Sequence, residues 1–290
     1  MRYDEPVFRP PSEAYSAILQ VTIGCSWNRC AFCEMYTSKK FRVRPFEEVK
    51  SDIQTLAAYH TSARKVFLAD GNAFVLSAEK LIPVLDEINS RFGKLQRISS
   101  YAMPRDIMAK TEEELMQLKE KGLKLLYIGI ESGDDEVLAM VNKGETAEST
   151  IKGIQKAHAA GIDTSLMVLT GLGGRKYSRQ HAENSAKVIN AVQPKFLSTL
   201  TLSYPYGAEH FAKRVPEGFE QLTLKELFEE QKRFIANINT ENVIFRSNHV
   251  SNNINLDGIL SRDREQILAT LDYAIATTPA GVYPREHGMF

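Results

Sequence analysis

Cysteine is scarce in this sequence, and the few cysteines present lie close together. The 290 residues contain three, at positions 25, 30 and 33. An odd and tightly grouped set makes a poor framework of paired disulfides, but it suits a metal or cluster site. We therefore interpret the three thiols as candidate metal ligands.

Long apolar runs and an excess of one charge are also missing. No uninterrupted apolar run approaches the roughly 20 residues that a membrane helix needs, and the N-terminal stretch lacks the pattern of a secretory signal. The 36 basic and 36 acidic residues give a formal net charge of zero, so composition favours neither nucleic acid nor an anionic membrane as a partner. We expect a soluble, cytoplasmic protein with no membrane association, for which a nucleic-acid partner is unlikely.

Short apolar runs alternate with longer amphipathic stretches, which is typical of an α/β fold with buried parallel strands. The predicted strands cover residues 16–23, 65–69, 97–101, 123–130, 163–170 and 196–202. Six strand–helix units in succession predict an α/β barrel or a doubly wound sheet, and periodicity does not separate the two.

Several predicted helices have recognisable ends. Thr111 with Glu114, and Thr223 with Glu226, fit the capping box. Ser77 is a candidate N-cap for a helix over residues 78–92, and Pro45 precedes one over 46–59. Two glycines, Gly122 and Gly161, stand where a left-handed C-cap is expected.

The pattern changes near residue 208. Beyond it we predict a helix near 223–237, a strand at 242–246 and a helix near 262–275. The predicted organisation is an N-terminal arm (1–14), a main α/β domain (15–208) and a C-terminal α/β extension (209–290).

The cysteines follow the first predicted strand in the sequence GCSWNRCAFCEMY, with C-x4-C-x2-C spacing. Loops at the carboxyl ends of strands commonly carry active sites in α/β folds. Thiolates favour zinc, Cu(I) or iron–sulfur clusters, and a cubane ordinarily takes four of them. Three cysteines would leave one iron open to a substrate or cofactor. The alternative is a zinc site completed by a histidine or carboxylate; His60 is the histidine nearest in sequence.

This loop resembles the cluster motif of the radical S-adenosylmethionine (radical SAM) superfamily, which is usually C-x3-C-x2-C with an aromatic residue before the last cysteine. Phe32 is that aromatic residue here, and one additional residue separates the first two cysteines. The resemblance implies a partial (βα)6 TIM-type barrel and a [4Fe–4S] cluster on Cys25, Cys30 and Cys33. It also implies that S-adenosylmethionine binds the open iron and is cleaved to methionine and a 5′-deoxyadenosyl radical, with a flavodoxin- or ferredoxin-type electron donor.

The resemblance continues at other strand ends. Asp70-Gly71-Asn72 stands where the family has a Gly-Gly-Glu-like motif that receives the methionine ammonium group, and Glu131-Ser132-Gly133 resembles a Glu-Ser-Gly segment whose acid contacts the cofactor. The residues that the resemblance implies on the cofactor are Phe32, Asp70, Gly71, Asn72, Ser100, Glu131, Ser132 and Gly171. Simpler alternatives stay open for three of these segments: an ordinary Asp-Gly turn at residues 70–71, a salt bridge of Glu131 with Lys143 or Arg105, and a plain Gly-rich turn at 171–174.

Other candidates are less specific. Arg105 is a possible partner of the methionine carboxylate, and Trp27 is expected to shield the cluster. The amide-rich tail segment FRSNHVSNNINL offers Arg246, Asn248 and His249 as possible substrate contacts. The sequence assigns no catalytic residue.

The Glu-Ser-Gly and Asn-Lys-Gly pattern looks closest to the branch containing methylthiotransferases, the Elongator-type catalytic subunit and oxygen-independent coproporphyrinogen oxidase. No cysteines remain for a second cluster, so sulfur insertion from one is not expected. We predict a radical SAM enzyme acting on a small or medium organic molecule. Two alternatives stay open: a non-catalytic iron–sulfur or zinc protein in electron transfer or sensing, and an enzyme of this fold acting on a macromolecule.

Overall fold

The computed structural model describes residues 3–216 and 218–285. Its strands are β1 (Ala17–Gln20), β2 (Thr22–Ile23), β3 (Arg42–Val43), β4 (Lys65–Ala69), β5 (Arg97–Tyr101), β6 (Leu123–Glu131), β7 (Asp163–Thr170), β8 (Phe196–Thr201), β9 (Ile244–Ser247) and β10 (Leu256–Ile259). Its helices are α1 (Phe46–Tyr59), α2 (Ala78–Arg91), α3 (Pro104–Met108), α4 (Glu112–Glu120), α5 (Asp135–Met140), α6 (Ala147–Ala159), α7 (Gly174–Val192), α8 (Ala208–Ala212), α9 (Leu224–Ala236) and α10 (Leu260–Thr277). In these two described ranges, no helix is both long enough and apolar enough to cross a bilayer.

Most predicted strands are observed, and β4, β5 and β7 have the predicted bounds. The first predicted strand, 16–23, is divided. β1 pairs with β4, and the N–H of Val21 still donates to the carbonyl of Ala69 at 2.7 Å. Beyond Val21 the chain changes partner, because β2 pairs with β3 in an antiparallel ribbon. An apolar run in the sequence does not indicate where a strand changes its pairing partner.

The predicted helix ends are mostly confirmed. Both capping boxes form at the starts of α4 and α9, and Gly122 and Gly161 have φ values of 93° and 76°. Ser77 is the N-cap residue of α2, as predicted, but its side chain makes no capping hydrogen bond. Its backbone carbonyl instead accepts the N–H groups of Lys80 and Leu81, at 3.1 and 3.0 Å.

Sequence reasoning missed β10, which pairs with β9 in an antiparallel hairpin. Its sequence, LDGI, contains Asp and Gly, which are depleted in strands. The amide-rich residues of the tail segment therefore lie largely in the connection between these two strands.

The chain divides into two compact units. The first comprises Met1–Asn28, Met35–Ile128 and Lys152–Thr164. In it β1, β4, β5 and β6 form a parallel sheet in that order. Residues 66–69 of β4 are almost completely buried, as in a parallel sheet covered on both faces. Parallel pairing brings the carboxyl ends of β4 and β5, with Asp70 and Ser100, to one edge.

The second unit comprises Arg29–Glu34, Gly129–Ile151 and Ser165–Phe290. In it β7, β8 and β9 pair in parallel, and β10 adds to β9. Ala31, from the cysteine loop, is buried in an apolar cluster with Val137, Val141, Leu172 and Phe211. The predicted domain boundaries near residues 14 and 208 stay a prediction.

Candidate cofactor site

The three cysteines are thiols that form no disulfide with one another, and each is partly exposed. Between the first two, Asn28 has φ 46°, in the left-handed region that asparagine tolerates better than most residues. Its side-chain amide donates to the carbonyl of Tyr36 at 2.9 Å. The longer spacing between Cys25 and Cys30 thus includes a left-handed residue that its own side chain anchors.

The backbone on both sides of Cys25 is held by side chains from the segment after β4. The carboxylate of Asp70 accepts the N–H of Gly24 at 3.0 Å. The amide oxygen of Asn72 accepts the N–H of Ser26 at 2.9 Å. Because the two residues that flank Cys25 are both fixed, the position of its thiol depends on this segment.

Gly71 completes this arrangement by close approach. Its N–H donates to the carbonyl of Gly24 at 3.1 Å. A Cβ atom at position 71 would lie 2.7 Å from the Cβ of Cys25 and 2.9 Å from the ring of Tyr36. Real side chains do not tolerate such contacts, so glycine is required for Cys25 to lie where it does.

Asp70 is completely buried and forms an ion pair inside the first unit. The ammonium group of Lys39 lies 2.9 Å from its Oδ2 atom and also donates to the carbonyl of Pro6 at 2.6 Å. Burial raises the pKa of Asp70, and its hydrogen bonds with Lys39 and Gly24 oppose this shift. The carboxylate therefore anchors the cysteine loop through charge-assisted hydrogen bonds.

Asn72 and Ser100 also have partners within the first unit. The amide of Asn72 donates to the hydroxyl of Ser26 at 2.8 Å and to the buried carboxylate of Asp106 at 3.1 Å. The hydroxyl of Ser100 donates to the carbonyl of Tyr101 at 2.9 Å. Their contacts with a cofactor stay a prediction.

In the second unit, Cys30 is held from the segment after α8. Arg214 donates to the carbonyl of Cys30 at 3.1 Å and forms an ion pair with Glu34. The imidazole of His210 lies 3.0 Å from the same carboxylate. The cysteine loop therefore has a polar anchor in addition to the apolar packing of Ala31.

Glu131 ends β6 in a strained conformation, with φ 61°. It is 6% exposed, and its Oε1 atom lies 3.0 Å from the ammonium group of Lys143. The sequence offered this ion pair as the alternative to a cofactor contact, and it is present. This conformation places the Glu131 carboxylate over its own strand. A Cβ atom at Gly129 would collide there with Oε1.

Lys143, the partner of Glu131, is a nearly buried cation. Burial lowers its pKa, but the negative charges of Glu131, Cys30 and Cys33 outweigh burial and hold the pKa above its ordinary value. Its ammonium group also lies 5.9 Å from the ring centre of Phe32. Sequence reasoning named Lys143 as an ion-pair partner and overlooked its position beside two candidate cluster ligands.

The loop after β6 is held by α7. The hydroxyl of Ser132 lies 2.8 Å from Nδ1 of His181. The N–H of Gly133 donates to the hydroxyl of Ser185 at 2.8 Å. No local pattern in the sequence pointed to His181, which lies 49 residues from Ser132.

Gly171, directly after β7, has φ 84°, a conformation that favours glycine. Its N–H donates to Oε1 of Glu230 in α9 at 2.6 Å. Burial raises the pKa of Glu230, and His181 and the Gly171 N–H oppose this shift. A residue 59 positions away in sequence thus fixes the turn that was expected to approach the cofactor.

The remaining candidates are dispersed. The guanidinium of Arg105 stacks 4.4 Å from the ring centre of Trp27. Arg246 and Asn248 are exposed. Within the same tail segment, Asn252 has a structural role: its side-chain oxygen accepts the N–H of Thr201 at 2.8 Å. Substrate contacts from the tail stay a prediction.

Comparison with known proteins identifies the family. The family model of the radical SAM superfamily matches residues 19–189, which is more than half of the chain. The chain belongs to the radical SAM superfamily. Members of this superfamily use a [4Fe–4S] cluster and S-adenosylmethionine, so the predicted family and cofactor class are confirmed.

Curated radical SAM relatives fall in the predicted branch. The tRNA-2-methylthio-N(6)-dimethylallyladenosine synthase of Chlorobium phaeobacteroides (strain BS1) is 25% identical over 226 residues, covering 74% of this chain and 49% of that protein. The ribosomal protein uS12 methylthiotransferase RimO of Thermosipho africanus is 24% identical over 250 residues, covering 82% and 57%. The chain thus spans about half the length of these relatives.

Solved radical SAM structures share the fold. Methylornithine synthase (PylB) has a TM-score of 0.53 at 16% identity, covering 93% of this chain and 83% of that one. Coproporphyrinogen III oxidase (HemN) from Escherichia coli has a TM-score of 0.57 at 16% identity, covering 76% and 51%. Together with the mostly parallel strands, this likeness confirms the predicted fold class.

The environment of Gly71 generates a direct prediction. Gly71→Ala will displace Cys25, and the variant will take up much less iron on anaerobic reconstitution than the unmodified protein. Gly93→Ala is the matched control, because a Cβ at that position meets nothing within 4 Å. Iron content and thermal unfolding of the metal-free proteins are measured together. Full iron uptake by the Gly71→Ala variant would contradict the positioning role.

Proposed function

We propose that this chain cleaves S-adenosylmethionine reductively at a [4Fe–4S] cluster held by Cys25, Cys30 and Cys33, and that the resulting radical acts on a small or medium organic substrate. Membership of the radical SAM superfamily supports the cofactor class. The observation that carries the proposal is the buried Lys143, which is ion-paired with Glu131 at 3.0 Å and lies 5.9 Å from the ring centre of Phe32 in the cysteine loop.

The residues present fit the proposed cluster. The ligand set is three partly exposed thiols in one short loop, which is the soft donor chemistry that iron–sulfur clusters use. Among residues 3–216 and 218–285, no three or more His, Cys, Asp or Glu side chains surround a single point closely enough to hold one ion. A cubane makes no such demand, because each thiolate binds a different iron.

The bound cofactors would supply a one-electron cleavage that yields methionine and a 5′-deoxyadenosyl radical. The chain's own residues bind and orient. The Lys143 ammonium group complements a carboxylate, and the Glu131 carboxylate complements an ammonium or hydroxyl group. A zwitterionic ligand can therefore replace each member of the ion pair with a new partner, which avoids leaving a buried charge unpaired.

Substrate and partners are inferred from composition. The three cysteines are needed for one cluster, which leaves none for a second. The names of the relatives specify tRNA and a ribosomal protein as substrates, but this chain spans about half of those proteins. Its zero net charge gives no support for nucleic acid. We assign a small organic substrate, a flavodoxin- or ferredoxin-type electron donor and a cytoplasmic location, where free thiols persist.

The test is anaerobic reconstitution with iron and sulfide, dithionite reduction and assay for 5′-deoxyadenosine formed from S-adenosylmethionine. We expect about four irons per chain and product that depends on each cysteine. Cys30→Ala should lose the cluster and keep the fold, as judged by circular dichroism. A stable cluster without S-adenosylmethionine binding would indicate electron transfer or sensing instead. Uptake of zinc in place of iron would overturn the proposal.

Lys143 provides a second prediction. Lys143→Gln should weaken S-adenosylmethionine binding by about tenfold or more, the factor expected for loss of a charged hydrogen bond, at unchanged iron content. Lys143→Arg should keep most of the affinity. Lys187→Gln, at an exposed position in α7, controls for the change in net charge. Equilibrium dialysis with labelled S-adenosylmethionine measures all four proteins, and equal affinity for the Lys143→Gln variant and the unmodified protein would exclude the assignment.

A further inference from the structure

Two buried ionisable residues lie between the loops after β6 and β7. His181, on α7, is 1% exposed, and Glu230, on α9, is 2% exposed. The imidazole Nε2 atom lies 3.8 Å from Oε1 of the carboxylate. Burying such groups is costly unless polar partners replace their hydration. Apolar residues would fill the same space at lower cost, so the retention of both groups calls for a role.

His181 bonds to the loop after β6. The N–H of Asp134 donates to the hydroxyl oxygen of Ser132 at 3.0 Å. The same hydroxyl lies 2.8 Å from Nδ1 of His181, so Ser132 and His181 are hydrogen-bonded directly. The other ring nitrogen, Nε2, faces Glu230.

Glu230 bonds to the loop after β7. Its Oε1 atom accepts the N–H of Gly171 at 2.6 Å, and the same oxygen is the one nearest to His181. The carboxylate thus lies between an imidazole and a backbone amide. Because α7 packs directly against α9, a shift of either helix would move both loops.

We propose that His181 and Glu230 are positioning residues that hold Ser132 and Gly171 in one fixed arrangement for S-adenosylmethionine. The inference rests on the proposed function, because Ser132 and Gly171 are predicted cofactor contacts. It adds two residues that do not touch the cofactor and act through those that do. A binding site whose loops are already ordered loses less entropy when the ligand binds.

Two pairs of variants test this. His181→Asn keeps a side-chain oxygen near the position of Nδ1, whereas His181→Ala removes the partner of Ser132. Glu230→Gln keeps an acceptor for the N–H of Gly171, whereas Glu230→Leu removes it. Lys187→Ala and Glu229→Ala, at exposed positions on the same two helices, are the controls.

Affinity for S-adenosylmethionine is measured by equilibrium dialysis on the reconstituted proteins, together with iron content. The two disruptive variants, His181→Ala and Glu230→Leu, should bind about tenfold more weakly, the factor for losing a hydrogen bond to a charged group, at unchanged iron. The two conservative variants, His181→Asn and Glu230→Gln, should stay within about threefold. The two control variants should match the unmodified protein.

Amide hydrogen exchange supplies a readout that does not require the cofactor. Loss of the network should accelerate exchange at Gly133 and Asp134 and also at Gly171, in either of the two disruptive variants, because the loops are coupled. A local role without coupling predicts faster exchange in one loop alone, and that result would overturn the proposal.

The two levels of inference fail in different ways. If the unmodified protein binds no S-adenosylmethionine, the proposed function is wrong, and so is the positioning role of His181 and Glu230. If the unmodified protein binds the cofactor and the disruptive variants bind equally well, the positioning role alone is wrong. If iron content and thermal stability fall in parallel with affinity, and the conservative variants rescue none of the three, the residues are structural.

Discussion

Removing a carboxylate from water costs several kcal/mol unless cations or N–H groups replace its hydration. Asp70, Glu131 and Glu230 are all nearly or fully buried, and each lies at or contacts the end of a strand. The partners of Asp70 and Glu230 come from distant parts of the chain within the same unit, whereas the partner of Glu131 is 12 residues away in sequence. The need to pair these charges determines which loops are rigid and which residues surround the candidate cofactor contacts.

The partners differ in kind, and the difference separates positioning from binding. Asp70 and Glu230 each accept a backbone N–H, from Gly24 and Gly171, so their charge fixes the conformation of a loop. A ligand cannot take over that role without disturbing the backbone. Glu131 is paired with the side chain of Lys143, and side-chain partners can be exchanged for ligand groups of the same charge. This ion pair also lies beside the cysteine loop, because the Lys143 ammonium group is 5.9 Å from the ring centre of Phe32.

The sequence was sufficient for most strands, most helix ends and the cysteine motif, because these depend on local patterns. Apolar runs correctly predicted β4, β5 and β7, and the Thr–Glu pairs correctly predicted both capping boxes. The positioning contacts could not be predicted in this way. Asn72 reaches Ser26 across 46 residues and Glu230 reaches Gly171 across 59. No periodicity or local motif indicates which side chain will accept a hydrogen bond from which backbone N–H once the helices pack.

The sequence Asp70-Gly71-Asn72 differs from the Gly-Gly-Glu-like motif of the family. The side chains of Asp70 and Asn72 are occupied in holding the residues that flank Cys25. These two side chains therefore have structural roles in the first unit, and contacts of residues 70–72 with the methionine ammonium group stay a prediction. Gly71 is different, because contact with Cys25 leaves no room for a Cβ.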